Sequence, residues 1–481
     1  MERLMFNNIH FMTFSTEIGL VALALGCLIA DLFMPSEEKR GNVLAVVAMA
    51  GLSLLLVNLF FQWGQFGAAF KQTFVQDGVS YFFKTFFLLA GIFVLFMARE
   101  YQAKLERGRG EFILLILFSI VGAVFLVSAN DFLVFFVALE TLTISSYIMT
   151  AYLRNKSASI EAGAKYLVLG ALSTGLFLYG LSFVYGSTGS TSYAQIQEKL
   201  LILGSVPKAF IFGSLLIVSS LAFKIAAVPF QLWAPDVYEG APTPVTAHLA
   251  IISKAAGFAA LIRLVLTVFA PIHGILTTLF AALAAVTIIY GNLGAIPQTN
   301  IKRLLGYSSI GHAGYLLIGL AAFQQTGNEA ILFYLLSYLF TTAGAFLVLV
   351  AISSHVKSDE ISELAGLSKK SPLLAAGMML SLFSLAGVPP LSGFFAKFYI
   401  LWSGVKSGLL WLVVIGAINV VTSLYYYLKV VKAMYIDKPL TETAPYKLSP
   451  AQKFFQYASI LGMLTLGIFP GPFVAFIKLL F

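Results

Sequence analysis

Four ionisable side chains interrupt long apolar runs of this sequence, and they are the residues best suited to chemistry. Glu140 lies about nine residues into one run, and Lys224, Lys254 and Lys397 lie within three others. At ~1.5 Å of rise per helical residue, Glu140 would be ~14 Å deep, near the centre of a ~30 Å hydrocarbon layer. Because a central charge costs at least ~2.5–3.5 kcal/mol, four of them together favour a function in moving protons.

Lysine suits proton transfer because its protonation responds to its surroundings. Desolvation favours the neutral amine, and a nearby carboxylate favours the charged form, so a movement of Glu140 relative to Lys224 would load or unload a proton. In the structural alternative, each ammonium snorkels to an interface or holds two helices together in a buried ion pair. The depth of Lys397 depends on where its long run ends. Three other cations lie near the ends of runs, and we expect them to snorkel: Lys84, Lys165 and Arg263.

The composition explains why these charges stand out. Apolar residues make up 59% of the 481 positions and charged residues 11%, against ~45–50% and ~25% in soluble domains. We therefore expect one polytopic membrane domain over residues 1–481. The net charge of +9 would suggest nucleic acid as the partner of a soluble protein. Here most Lys and Arg lie between apolar runs, which favours the lipid bilayer as partner and excludes nucleic acid.

Fourteen runs approach the ~20 apolar residues that a membrane crossing needs. They predict an all-α membrane protein with about fourteen transmembrane helices. The predicted spans cover residues 14–34, 42–62, 79–98, 111–129, 131–152, 162–186, 209–231, 243–268, 271–291, 301–323, 327–353, 371–401, 408–432 and 454–476.

The distribution of Lys and Arg predicts the orientation, because cytoplasmic loops carry the excess. Eighteen follow odd-numbered spans: Lys39, Arg40, Arg99, Lys104, Arg107, Arg109, Arg154, Lys156, Lys302, Arg303, Lys357, Lys369, Lys370, Lys429, Lys432, Lys438, Lys447 and Lys453. Six lie on the other side: Arg3, Lys71, Lys199, Lys208, Lys406 and Lys478. Both termini are thus predicted on the non-cytoplasmic side. The loop with Asp236 and Glu239 dissents, since it is acidic on the predicted cytoplasmic side.

Prolines predict breaks in spans 7 and 12. Pro229 follows a Ser-Leu-Ala triplet in span 7, and Pro389 and Pro390 follow the same triplet in span 12. Proline removes a backbone hydrogen bond and breaks or kinks a helix. Because the two breaks lie five spans apart, a five-helix repeat would place its second copy upside down, as in many transporters.

The cysteine and histidine inventory predicts that no metal or redox centre is bound. Cys27 is the single cysteine, which excludes a disulfide framework and a multi-cysteine cluster. No histidine has a partner three or four residues away of the kind that a haem or metal site on one helix favours. The five histidines are His10, His248, His273, His312 and His355.

Three motifs resemble one known family. The run KIAAVPFQLWAPDVYEGAPTPV (residues 224–245) closely resembles the signature of the antiporter-like subunits of respiratory complex I, the bacterial NADH–quinone oxidoreductase. The runs YSSIGHAGY (307–315) and LAGVPPLSGFFAKF (385–398) fit the same family. With residues 164–190, they look most like the subunit N members. The end of the chain soon after span 14, without the long lateral helix of the largest antiporter-like subunit, favours subunit N or its close relative subunit M. A lysine rather than a glutamate at position 397 favours N over M.

The resemblance implies a fourteen-helix fold with two inverted five-helix units. Helices 1–3 would occupy residues 1–110, the first unit (helices 4–8) 111–268, the second (helices 9–13) 269–435, and a loop with helix 14 residues 436–481. It also implies site residues.

In that family the counterpart of Glu140 pairs with the counterpart of Lys224, Lys254 looks like the connecting residue, and Lys397 looks like the lysine of the second unit. His312 resembles a relay position, although a lone helical histidine is as often satisfied by a neighbour. Asp236 and Glu239 look like the family loop or like helix caps.

The implied function is proton translocation in a redox-driven enzyme of the bacterial plasma membrane. The partners would be the other membrane and peripheral subunits of complex I. NADH and quinone would be used by the whole complex, and no cofactor would be bound by this chain. A stand-alone or Mrp-type cation/proton antiporter is the alternative, because it would use the same buried charges. A weaker alternative is a scaffold whose charges only hold subunits together.

Overall fold

Long apolar stretches fold into helices because a helix satisfies its own backbone hydrogen bonds in a lipid environment. The computed structural model describes residues 11–34, 36–356, 358–439 and 445–481, so Arg3, His10 and Lys357 lie outside the described residues. The first ten α-helices are α1 Ser15–Phe33, α2 Glu37–Phe61, α3 Gly78–Tyr101, α4 Arg109–Ser128, α5 Phe132–Thr150, α6 Ser157–Thr188, α7 Tyr193–Leu203, α8 Lys208–Lys224, α9 Trp233–Gly240 and α10 Thr243–His248.

The second half of the chain is built in the same way. Its α-helices are α11 Lys254–Leu266, α12 His273–Ala295, α13 Ile301–Ala322, α14 Gln325–Ile352, α15 Leu367–Lys370, α16 Pro372–Ala386, α17 Ser392–Lys406, α18 Leu410–Tyr435, α19 Pro450–Ile468 and α20 Pro470–Lys478. Short 3-10 turns cover Phe11–Phe14, Gln102–Lys104, Ala270–Ile272 and Ile361–Leu364, and a π turn covers Leu249–Ser253. A small antiparallel hairpin joins β1 Gly67–Ala69 to β2 Phe74–Gln76.

Within the described ranges, 11 helices are long and apolar enough to cross a membrane, or up to 12 if α19 and α20, bent by 81°, form one span. The coarse prediction of an all-α, multi-span membrane protein is therefore confirmed. The predicted spans 7 and 12 fail that test of length because each is divided into two shorter helices.

The two breaks lie where the prolines predicted them. The first separates α8 from α9 over residues 225–232 and contains Pro229. The second separates α16 from α17 over residues 387–391 and contains Pro389 and Pro390. A break removes the intrahelical hydrogen bonds that some backbone carbonyls would accept in a continuous helix. Each break therefore leaves polar backbone groups inside the bundle.

Close helix contacts are made where glycines face each other, as small residues let membrane helices approach. A Cβ on Gly180 of α6 would lie 2.6 Å from the carbonyl oxygen of Gly213 in α8. A Cβ on Gly291 of α12 would lie 2.3 Å from the backbone nitrogen of Gly311 in α13. These contacts fix the helices that carry Lys224 and His312 against their neighbours.

The helix α7 was not predicted from the sequence; it is an 11-residue helix between two spans. It is too short to cross a bilayer, so the search for ~20-residue runs passed over it. Tyr193, Ile196 and Leu200 are buried on one face, whereas Leu201 and Ile202 are 82% and 70% exposed. This arrangement is typical of a helix that lies along a membrane surface.

Candidate functional site

Glu140 lies on α5 and is only partly buried. Its Oε1 accepts a 2.8 Å hydrogen bond from the hydroxyl of Thr174 on α6. The same carboxylate lines a groove of about 660 Å³ between α5 and α6, together with apolar residues such as Ile144 and Leu167. The carboxylate of Glu140 therefore lies at the edge of the helix bundle, and it accepts a hydrogen bond from a neutral hydroxyl.

Lys224 is the last residue of α8, directly before the first helix break, and it is 5% exposed. Its Nζ donates a 2.8 Å hydrogen bond to the hydroxyl of Thr143 on α5. Among the ion pairs of the described residues, none joins Lys224 to Glu140. The two charges nevertheless interact electrostatically. The expected partners are thus neighbours that do not touch in this conformation.

His248 was not assigned a role from the sequence, but it lies near one of the buried lysines, Lys224. It ends α10, is fully buried, and its Nε2 shares a 2.7 Å hydrogen bond with Ser119 of α4. It interacts electrostatically with Lys224. Its Nδ1 is buried without a hydrogen-bond partner in the described part of the chain. The sequence feature that could have pointed to His248 is its position inside an apolar span, six residues before Lys254.

Lys254 begins α11 immediately after the π turn at Leu249–Ser253 and is 2% exposed. Its Nζ donates to both the carbonyl and the hydroxyl oxygen of Ser309 on α13. The ring centre of Tyr338 on α14 lies 5.9 Å from the same nitrogen. π turns often occur at functional sites, and this one helps to determine the direction in which the Lys254 side chain points at the start of α11.

His312 lies on α13 between two tyrosines from other helices. Its Nδ1 is 2.5 Å from the hydroxyl of Tyr334 on α14, and its Nε2 is 3.3 Å from the hydroxyl of Tyr427 on α18. The Tyr427 hydroxyl is also in contact with Ser308. His312 is buried and interacts electrostatically with both Lys254 and Lys397. The histidine is thus satisfied by neighbours and lies near both Lys254 and Lys397.

Lys397 lies on α17, beside the second helix break, and is 4% exposed. Its Nζ donates a 3.0 Å hydrogen bond to the carbonyl oxygen of Ala386, the last residue of α16, and a 3.4 Å bond to Ser423 of α18. In a continuous helix the Ala386 carbonyl would accept a backbone hydrogen bond, and the break makes it available to Lys397 instead. A cavity of about 10 Å³, room for about one water, lies between Lys397 and His312.

Hydroxyl groups surround this cavity. Ser337 donates to Ser392 over 2.8 Å, and Thr341 and Ser384 are 3.0 Å apart. Ser337, Thr341 and Ser384 all line the cavity. Three hydroxyls therefore border the space next to Lys397, within a lining that also includes apolar residues such as Leu385.

The expectation of snorkelling is wrong for Lys84 and Arg263. Lys84 is fully buried and forms a 2.6 Å ion pair with the buried Glu17 of α1. Arg263 is 6% exposed and pairs with Asp77, next to the first turn of α3. A side chain near a helix end pairs inward when a carboxylate from another part of the bundle lies within reach. Lys165, whose side chain is 42% exposed, does lie near the edge.

Asp236 and Glu239 form ion pairs and do not act as helix caps. Asp236 pairs with Lys165 of α6 at 2.6 Å and with Arg303 of α13 at 2.7 Å, and Glu239 pairs with Arg303 at 2.9 Å. Partial burial would raise the pKa of Asp236, but the hydrogen bonds from Lys165 and Arg303 hold that pKa below its ordinary value. These charges join α6, α9 and α13 at one edge of the bundle.

Comparison with known proteins identifies the family. The family model for "NADH:quinone oxidoreductase/Mrp antiporter, TM" matches residues 129–423, more than half of the chain. The NADH-quinone oxidoreductase subunit N of Moorella thermoacetica is 42% identical over 465 residues, covering 97% of this chain and 96% of that relative. The chain belongs to the NADH-quinone oxidoreductase subunit N family. The resemblance inferred from the motifs is thereby confirmed.

Solved structures agree with membership of the subunit N family. A chain of respiratory complex I from Thermus thermophilus with bound aureothin superposes with a TM-score of 0.81 at 32% identity, covering 96% of this chain and 98% of that chain. A chain of the Mrp complex from Dietzia has a TM-score of 0.84 at 20% identity, covering 98% and 97%. The second likeness shows a shared fold alone.

Neutral partners are the common feature of the three buried lysines that the sequence analysis singled out. Lys224 donates to a threonine, Lys254 to a serine, and Lys397 to a carbonyl and a serine. A carboxylate in direct contact would hold an ammonium in its charged form. Because these ammonium groups have only neutral partners, each can lose its proton without stranding an opposite charge.

Proposed function

We propose that this chain is a proton-translocating membrane subunit of an NADH–quinone oxidoreductase, driven by redox chemistry in other subunits. The observation that carries the proposal is the burial of Lys224, Lys254 and Lys397 on neutral oxygen partners. A structural ion pair would have an opposite charge in contact, as Lys84 has with Glu17. Membership of the subunit N family supports the enzyme complex as the setting.

In the proposed path, protons move from the first half of the bundle to the second. Glu140 controls the charge of Lys224, and the proton passes towards Lys254. His312 lies between Lys254 and Lys397 and carries the proton onward through the small cavity beside it. The helix breaks and the π turn support a role for these three lysines in the path, because each lysine lies next to one of them.

We infer fourteen crossings, with α8–α9 and α16–α17 as broken spans and α10–α11 as one continuous span. The breaks recur five spans apart, which supports two inverted five-helix units over residues 111–268 and 269–435. Residues 1–110 would hold the first three spans, and residues 436–481 a loop with the last. This arrangement would place both broken helices near the middle of the membrane.

The charge distribution supports an orientation with both termini away from the cytoplasm of a bacterial plasma membrane. The acidic segment that contradicted this orientation lies within α9 and is consistent with it, because Asp236 and Glu239 form ion pairs with Lys165 and Arg303. Its carboxylates therefore add little net negative charge to the predicted cytoplasmic face.

The proposed partners are the other membrane and peripheral subunits of complex I. NADH and quinone would be used elsewhere in the complex, and this chain would bind no flavin, haem or iron–sulfur cluster. A single cysteine, Cys27, supports that proposal because iron–sulfur clusters need several thiolates. Stoichiometric iron or flavin in the purified chain would contradict it.

The alternative of an Mrp-type antiporter keeps some support from the shared fold. Purification of the tagged chain from its native membrane separates the two functions. We expect NADH-oxidising and quinone-reducing subunits to co-purify with it, and NADH oxidation to drive proton uptake into vesicles. Isolation without those subunits, together with cation/proton exchange by the chain alone, would overturn the assignment in favour of an antiporter.

A further inference from the structure

The arrangement around His312 has a feature that the proposed path does not use. Two hydroxyls from different helices contact the two nitrogens of one buried imidazole: Tyr334 contacts Nδ1 and Tyr427 contacts Nε2. Tyr334 is 2% exposed and Tyr427 is fully buried. A ring held on both nitrogens cannot gain or lose a proton without reversing which group donates in one of the two contacts.

We propose that Tyr334 and Tyr427 form a hydroxyl switch whose orientation reports and controls the protonation of His312. The inference rests on the proposed function, since it assigns positioning residues to the proton path. A neutral imidazole has one N–H donor and one bare nitrogen, so one tyrosine accepts a hydrogen bond while the other donates. A protonated imidazole donates from both nitrogens, so both tyrosines must accept.

In the tautomer in which Tyr427 donates to the neutral ring, its hydrogen then needs another acceptor, and Ser308 provides it. The two hydroxyls are in contact, and either can be the donor. When His312 gains a proton, Tyr427 turns its hydrogen onto Ser308. No covalent bond of the tyrosine breaks, because the transferred proton resides on the imidazole and comes from a lysine ammonium that becomes a neutral amine.

The backbone of α13 connects the hydroxyl switch to the site of Lys254. Ser308 precedes Ser309, whose carbonyl and hydroxyl accept from Lys254. On the other side, α18 carries Ser423 one turn before Tyr427, and Ser423 accepts from Lys397. The two hydroxyls therefore connect the state of the imidazole to the helix positions that hold both lysines.

Other groups near the ring must be included when its pH response is interpreted. The charged or titratable side chains that interact with or pack near His312 are Lys254 from α11, Tyr315 from α13, Tyr334 and Tyr338 from α14, Lys397 from α17 and Tyr427 from α18. None of these is a carboxylate, so the tyrosine oxygens are the acceptors that stabilise a protonated ring.

The test uses the whole complex in sealed vesicles, with proton uptake per NADH oxidised measured from pH 6 to 9. Tyr427→Phe removes one acceptor from the protonated ring. We expect normal assembly and a half-maximal uptake that moves to lower pH by about one unit, which corresponds to ~1.4 kcal/mol. Tyr334→Phe should shift the profile in the same direction. Tyr193→Phe, which removes a buried hydroxyl from the distant α7, should leave the profile unchanged.

Several outcomes would overturn the switch. An unchanged profile in Tyr427→Phe would do so, and so would a loss of uptake with the same pH midpoint, since the latter indicates a structural role. If Tyr427→Phe does not assemble, the Tyr334→Phe profile decides in the same way. His312→Ala and Lys224→Ala distinguish the underlying function: if both variants pump normally, the proton path itself is wrong. If both fail while the tyrosine variants pump normally, only the switch is wrong.

Discussion

The ammonium of Lys224 donates its hydrogen bond to Thr143. Thr143 lies one turn after Glu140 on α5, so the carboxylate is close enough to affect the ammonium without touching it. This separation distinguishes the pair from a structural salt bridge. A modest movement of α5 relative to α8 would change the strength of the interaction, because Coulomb energy varies with distance and is large at low dielectric.

Replacing Glu140 with Gln should lower proton uptake per NADH oxidised while leaving most of the complex assembled. Removing one partner of a contacting buried pair costs ~3–5 kcal/mol because the other charge is stranded. Lys224 is not stranded, since Thr143 still accepts its hydrogen bond and the amine can become neutral. Glu140→Gln, Lys224→Ala and the double variant should be compared for assembly and for uptake. The double variant should be little worse than either single variant if the two groups act as one unit.

Normal uptake per assembled complex in the Glu140→Gln variant would show that this carboxylate carries no proton-controlling role. Assembly that falls in parallel with uptake would instead indicate a structural pair. Both measurements are therefore needed on the same preparation.

Lys397→Ala should impair proton uptake far more than Lys406→Ala, because a buried charge inside the membrane is expected to be functional. Both lysines lie on α17, but Lys397 is buried beside the helix break and Lys406 is exposed at the end of the helix, near the ring of Trp402. Lys406 is thus a matched control for the loss of one positive charge from the same helix. Vesicle uptake normalised to assembled complex is the measurement. Equal losses in the two variants would contradict the role of Lys397.

Lys84→Met should destabilise the bundle by ~3–5 kcal/mol, because Glu17 would be left as an uncompensated buried charge. The Glu17–Lys84 contact of 2.6 Å joins α1 to α3 with almost no exposure of either side chain. The double variant Glu17→Leu with Lys84→Met should recover much of the loss, since it removes both charges. Thermal unfolding of the purified protein gives the comparison. A double variant as unstable as Lys84→Met would show that the stranded charge is not the cause.

Asp236→Asn should lower the unfolding temperature at pH 7, with a loss of about 1 kcal/mol. Because the folded protein holds the pKa of Asp236 below its ordinary value, the carboxylate stabilises the fold above ~pH 4, and this stabilisation is lost as pH falls through the lowered pKa. The difference between variant and wild type should therefore disappear in acid. Glu198→Gln, which changes an exposed residue without an ion pair among the described residues, is the control. A difference that persists below that pH would contradict the assignment.

Apolar length and proline positions made the fold predictable, whereas contacts between distant residues were not. The breaks at Pro229 and Pro389 followed from a single residue type. The burial of Lys84 did not follow, because it depends on Glu17, which lies in another helix and far away in sequence. Similarly, Thr143 as the partner of Lys224 depends on how α5 packs against α8. Their positions inside apolar runs identified the four charged residues, and tertiary packing then determined which oxygen each one contacts.

The second helix break has a mechanical consequence. A continuous helix moves as one rod, so its side chains and its carbonyls shift together. Here Lys397 lies on one half of a divided helix, and the carbonyl of Ala386 that receives its hydrogen bond belongs to the other half. A sliding of one half by an ångström or so, with every other helix at rest, would part the ammonium from its acceptor and free it to turn towards the small cavity.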